Sequence, residues 1–224
     1  HYQLLVIRKK EICKFLDPLN GILDEMVSFN VFGDRDCSKV RAQRGLDEMA
    51  RETIDILSRK ADSAFDLFIT ALHNTDQQHV TYILTGEGEP PLSELRRTIL
   101  RRERKYLVEH IDTANSLLVD TMVSSDVISS ADKELIAAET SNYRMNRVLL
   151  DVIIRKSQSS YDKFLQCLKD VSQGHIAVRL EGIELRATVD PHFRPGTPEA
   201  QQNKVIELVR DRIRTLVSGR EQEV

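Results

Sequence analysis

The stretch Ile54-Asp-Ile-Leu-Ser-Arg-Lys-Ala-Asp-Ser-Ala-Phe-Asp-Leu-Phe-Ile-Thr-Ala-Leu72 returns as Leu150-Asp-Val-Ile-Ile-Arg-Lys-Ser-Gln-Ser-Ser-Tyr-Asp-Lys-Phe-Leu-Gln-Cys-Leu168, at a shift of 96 positions. Arg-Lys and the apolar rhythm recur together, which helical propensity alone does not produce. The same shift, without a gap, pairs Arg8-Lys9 with Arg104-Lys105, Asp24 with Asp120 and Met26-Val27-Ser28 with Met122-Val123-Ser124. It also pairs Asp36 with Asp132, His79 with His175, Leu84 with Leu180 and Gly86 with Gly182. Self-similarity at one offset marks a duplicated unit. We read two modules, residues 2–86 and 91–182, joined by Glu87-Gly88-Glu89-Pro90-Pro91. Proline cannot continue a helix and restricts the residue before it, so Pro90-Pro91 ends the first module and stiffens the join.

Within each module the apolar residues recur every three or four positions: Ile54, Leu57, Ala61, Ala64, Phe65, Phe68 and Leu72, then Leu149, Ile153, Tyr161, Phe164 and Leu168. That period is a helical core face. Breakers separate the stripes at Pro18 and Asn20-Gly21, at 30–36 and at 43–45, which gives about six short helices per module. Composition agrees: 41% hydrophobic and 30% charged residues, with 9 Gly, 6 Pro and no Trp, suit amphipathic helices around aliphatic cores. The expected class is all-α.

These residues resemble the caspase recruitment domain (CARD) family of the death-fold superfamily. Each copy has a basic first helix with a break, a Leu/Ile-Leu/Val-x-x-Met-Val helix and a Val/Ile-Ser/Gly-x-x-Asp turn. The pieces that carry the resemblance best are Leu150–Lys156, Tyr161–Leu165 and His175–Leu180, so the second copy fits better than the first. The resemblance implies two tandem six-helix antiparallel bundles that bind other CARD-containing proteins (adaptor, kinase or caspase), and also a second copy of this chain, often by helical polymerisation. Apoptosis or innate immunity is the implied setting, with no cofactor and no chemistry.

Charge placement is the functional signal. The first module holds 11 Lys and Arg against 13 Asp and Glu, and residues 87–182 hold 14 against 15, so any electrostatic function is local. In CARD-like proteins the first and fourth helices commonly carry the basic half and the second and third the acidic half. That carry-over nominates Arg8, Lys9, Arg59, Lys60, Arg101, Arg104, Lys105, Arg155 and Lys156 as a basic protein-binding patch, and Asp24, Glu25, Asp36, Asp120 and Asp132 as the acidic one. Unlike patches on one module bind head to tail, and a contact of that kind that does not close propagates. Complementary charge sets specificity and association rate, so single contacts are expected to be weak and salt-sensitive. The plain alternative for each of these charges is a solvated helix face.

Catalysis is not expected. Cys13, Cys37 and Cys167 lack a local nucleophile signature and read as buried, reduced thiols. His79 and His175 stand at equivalent places near a last helix with no partner ligand at zinc-like spacing, so no metal is expected. Gly86-Glu-Gly88 precedes Pro90-Pro91 and is a linker, not a phosphate loop. The basic run Arg96 to Lys105 lacks the interleaved aromatics of a base-stacking surface, which disfavours nucleic acid. No apolar run is long enough to span a membrane and no secretory leader stands at the start, so a cytoplasmic protein is expected.

Residues 183–224 lie outside the repeat. Pro191, Pro195, Gly196 and Pro198 mark a loop, and Thr197-Pro198-Glu199 opens an amphipathic helix carrying Val205, Leu208, Val209, Ile213 and Leu216. Position 1 is His, so a longer parent protein stays open. The rival readings are the N-terminal regulatory part of an ATPase or helicase sensor, and a helical nucleic-acid-binding protein.

Overall fold

Where the apolar stripes run, helices form. The computed structural model describes residues 2–189, and the expected tail helix from Thr197 lies outside them. The first bundle is α1 (Tyr2–Ile12), α2 (Leu23–Ser28), α3 (Asp34–Arg41), α4 (Leu46–Leu57), α5 (Ser63–Asn74) and α6 (Gln78–Thr85). The second is α7 (Glu94–Arg102), α8 (Arg104–His110), α9 (Leu118–Ser124), α10 (Ser130–Ala137), α11 (Asn142–Ile153), α12 (Gln158–Asp170) and α13 (Gly174–Val189). The break in the basic first helix falls at Glu103, whose ψ of 0° interrupts the helix between α7 and α8. All described regular structure is helical, and none of these helices is long and apolar enough to cross a membrane.

The two bundles pack alike: α1 against α4 as α8 against α11, α2 against α5 as α9 against α12, α3 against α4 as α10 against α11. Core positions repeat with them. Met26/Met122, Val40/Ile136, Ile54/Leu150, Phe68/Phe164 and Leu72/Leu168 are all buried at the 96-residue shift. Each such side chain contributes about 1.5–3 kcal/mol on leaving water. The turns repeat too: Asn30 (φ 56°) matches Asp126 (54°), and Asp76 (56°) matches Ser172 (65°).

The repeat is not gapless. In the first helix the structural equivalence is 95, because Lys9 pairs with Asp55 just as Arg104 pairs with Asp151. The backbone of Asp17 exchanges hydrogen bonds with Gln77 (2.8 and 3.0 Å), as Asp112 does with Gln173 (2.9 and 2.9 Å). From Ile22 and Leu118 onward the shift is 96. The link after Asp112 is one residue longer, and the addition is absorbed in a surface loop where Leu117 is 70% exposed. The shorter link of the first module turns tightly through Gly21 at φ +81°.

The bundles are fastened to one another. The linker lies along the α11–α12 corner, with Leu92 N–H donating to the Lys156 carbonyl (3.1 Å) and Gln158 N–H to the Pro90 carbonyl (3.1 Å). The last helix runs past Gly182 to Val189; Ile183 is buried, and Glu184 accepts from Arg96 Nε (2.7 Å).

Candidate protein-interaction surface

Several nominated charges face each other within a bundle. Lys60 Nζ donates to Asp36 Oδ2 (2.8 Å) and Lys156 Nζ to Asp132 Oδ2 (2.7 Å). The same carboxylates accept the backbone N–H that opens α3 or α10, from Gly33 (3.3 Å) and Ser129 (3.0 Å). Each lysine therefore ties the α4–α5 or α11–α12 corner to the start of the third helix. The hydrogen bond from Lys60, opposed by burial, holds the Asp36 carboxyl below its usual range. Lys156 and Asp132 are buried and do not present to a partner. The repeat copies these four residues for an internal reason.

Other nominated residues sit at the surface with local partners. Arg8 pairs with Glu11 (3.3 Å), Lys9 with Asp55 (2.5 Å), Arg101 with Glu94 (3.1 Å) and Arg104 with Asp151 (2.7 Å). Asp24 pairs with Arg41 (3.2 Å), Asp120 with Lys133 (2.7 Å), and Glu25 accepts from Asn74 Nδ2 (2.7 Å). Exposed surface pairs of this kind contribute little to stability and leave their charges available. Arg59 and Lys105 are exposed and have no ion-pair partner among the described residues.

One opening on the surface is a groove of about 500 Å³ between α1 and the start of α4, walled by Lys9, Lys10, Lys14 and Arg51 and by the apolar Val6 and Ile7. Asp47 is its carboxylate. Ile7 is 75% exposed at the rim, and Cys13 forms the floor, its thiol pKa raised by burial. Lys10 and Arg51 belong to this surface although the Arg-Lys repeat does not mark them.

Arg155 leaves its own module. Its Nη1 donates to the carbonyls of Cys13 (3.3 Å) and Leu16 (3.1 Å), and its Nη2 pairs with Asp47, all on the first module. Beside it, the buried Arg97 guanidinium lies 4.5 Å from the Phe15 ring centre, Lys14 approaches Glu94 (3.8 Å), and Ser129 Oγ donates to Asn20 Oδ1 (2.8 Å). Burial, then the neighbouring Arg101 charge, lowers the Arg97 pKa. His79 of α6 is buried in this junction, and burial together with the Lys156 ammonium lowers its pKa to about 4. Asp17 is raised by burial and by the Asp132 carboxylate. A second opening of about 440 Å³ at the junction holds Lys14, Arg97, Arg101, Arg104 and Arg155, but Glu94, Asp47 and Asp151 already take up those cations.

Two helical bundles of matching packing are joined by hydrogen bonds and ion pairs, with charged grooves on their surface. Comparison with protein-family models agrees: the caspase recruitment domain model matches twice, over residues 4–87 and 97–182. Neither the curated proteins nor the solved structures show a significant match to the chain. Matched over well more than half its length, the chain belongs to the caspase recruitment domain family and carries two of its domains in tandem.

Proposed function

We propose that the chain is a non-catalytic intracellular signalling adaptor that binds other CARD proteins, a second copy of itself included, through charge-complementary contacts. Domains of this family mediate homotypic protein–protein interaction in signalling. The observation that supports the basic side is the first module's groove, where Lys10, Lys14 and Arg51 surround the exposed Ile7. Its complement in the second module is the α9–α10 side, where Asp120, Asp126 and Glu134 are exposed with Leu135. An acidic surface carrying an apolar side chain fits a basic groove with an apolar rim, and the two lie on different modules, so contacts between chains run head to tail. Apoptotic or innate immune signalling is the setting this reading implies. A regulatory segment of a larger ATPase or helicase sensor would use the same surface.

The test is the mass of the purified chain by light scattering over a concentration and salt series, for wild type and for Lys10→Glu with Arg51→Glu. Species above monomer at low salt, dissolving as salt rises and missing from the variant, are expected. A wild-type chain that stays monomeric at low salt, or an assembling variant, overturns the groove as the site.

A further inference from the structure

One contact of the junction between the modules joins an arginine to a helix end, and each half of it has a counterpart elsewhere in the chain. The helix end is the C-terminus of α1. The last carbonyls of a helix have no intrahelical donor and need a cap. In the first module Arg155 supplies it, reaching across from the second module to Cys13 and Leu16. At the 95-residue shift that governs the first helix, the equivalent carbonyls are Val108 and Ile111. Asn146 Nδ2 donates to both (2.9 and 2.6 Å), and Asn142 Nδ2 also donates to Ile111 (2.8 Å). The residues at these places on α4 are Leu46 and Ala50, which have no side-chain donor. The first module is thus capped from outside and the second from within.

The arginine has a counterpart as well. Arg59 occupies in the first module the place of Arg155 in the second, in a corner of the same geometry. Arg59 N–H donates to Ile56 (3.0 Å) as Arg155 N–H does to Val152 (3.0 Å), and Lys60–Asp36 holds the corner as Lys156–Asp132 does. Arg59 is exposed and has no partner among the described residues.

We infer that the Arg59 corner is a second, unused plug, and that it docks onto a CARD module of a different protein whose first helix ends uncapped. This rests on the homotypic reading above and names the partner's chemistry. The partner carries a carboxylate at the place of Asp47, to meet the guanidinium, and a residue without a side-chain donor at the place of Asn146. A second copy of this chain does not qualify, because Arg155 fills one helix end and Asn146 fills the other. Growth through this contact therefore runs one way, from the first module outward.

The experiment grafts the first module's residues onto the second: Asn142→Leu, Tyr143→Asp and Asn146→Ala, in the full chain and on the Lys10→Glu, Arg51→Glu background that silences the groove. Light scattering reads mass, and circular dichroism reads folding. The graft is expected to at least double the mass at concentrations where the background chain is monomeric, and adding Arg59→Ala is expected to restore the monomer. A folded graft that stays monomeric overturns the inference, and so does a graft that assembles without Arg59. If alanine at the buried position 146 prevents folding by leaving Thr113 Oγ1, which donates to Asn146 Oδ1 (2.6 Å), without its acceptor, adding Thr113→Val to the graft removes that hydroxyl as well, and the same two outcomes decide. Failure here leaves the groove reading intact, since the groove is already silenced.

Discussion

Acidification should destabilise the chain through His79. The ring is 3% exposed and lies edge-on to Phe15, with ring centres 6.2 Å apart. Burial first, and the Lys156 charge second, lower its pKa from 6.5 to about 4, with backbone groups of Phe15 and Arg155 offsetting part of the effect. The unfolded chain takes up the proton near 6.5, whereas the native chain resists it until about 4. The stabilisation from a neutral ring is therefore complete above the unfolded value and is lost as pH falls from 6.5 toward 4. At about 1.4 kcal/mol per unit, the whole window is about 3 kcal/mol, of which about 2 kcal/mol is lost between pH 7 and pH 5. Asp17 works in the other direction, because its raised carboxyl contributes stability at low pH that is lost as pH rises. Urea unfolding of wild type and of His79→Gln at pH 7 and pH 5 separates the two, since the carboxylates are common to both proteins. Wild type should lose about 2 kcal/mol more than the variant. Equal losses would show that His79 titrates normally and that its burial in the junction is wrong.

Asp132→Ala should cost about 3 kcal/mol in urea unfolding, because it strands Lys156, whose side chain is 11% exposed, whereas Asp36→Ala, beside a Lys60 that is 31% exposed, should cost about 1.5 kcal/mol. Equal costs would contradict the difference in burial. Gly21→Ala should cost about 1–2 kcal/mol for its φ of +81°, plus a close approach of the new Cβ to Thr75 Cγ2 at 3.1 Å. Thr75→Ser, which lacks that methyl group, should recover the second part and not the first; full recovery would mean that the backbone conformation carries no strain.

The all-helical class, the tandem arrangement and the link breaks were legible because each leaves a periodic or punctuating trace. Pro18 and Gly21 end the first helix whatever packs around them. The one-residue slip was hidden by chemistry. Two adjacent basic residues at 8–9 and at 104–105 make shifts of 95 and 96 look alike, and only the pairing with Asp55 and Asp151 separates them. The role of Lys60 and Lys156 was hidden for a similar reason, since a surface patch and an internal ion pair call for the same residue types. Asn146 did leave a trace: it is a polar residue on the buried face of α11 where the first copy has Ala50. A polar residue inside an apolar stripe must find partners, and the nearest unsatisfied groups in a helical bundle are helix ends.

What no periodicity can show is how the copies differ in use. Arg59 and Arg155 are the same residue in the same turn, yet Arg59 has no ion-pair partner among the described residues and Arg155 is bound across the junction. The difference comes from the linker: Pro90 to Leu92 is hydrogen-bonded to the second module's corner, which holds Arg155 against the end of α1 at a high effective concentration. Once that helix end is capped from outside, the first module has no need of an internal cap, and Ala50 is tolerated there. In the second module Asn146 and Asn142 cap the equivalent helix end from within. Cap and linker thus explain each other, and they leave two copies of one fold capped in two different ways.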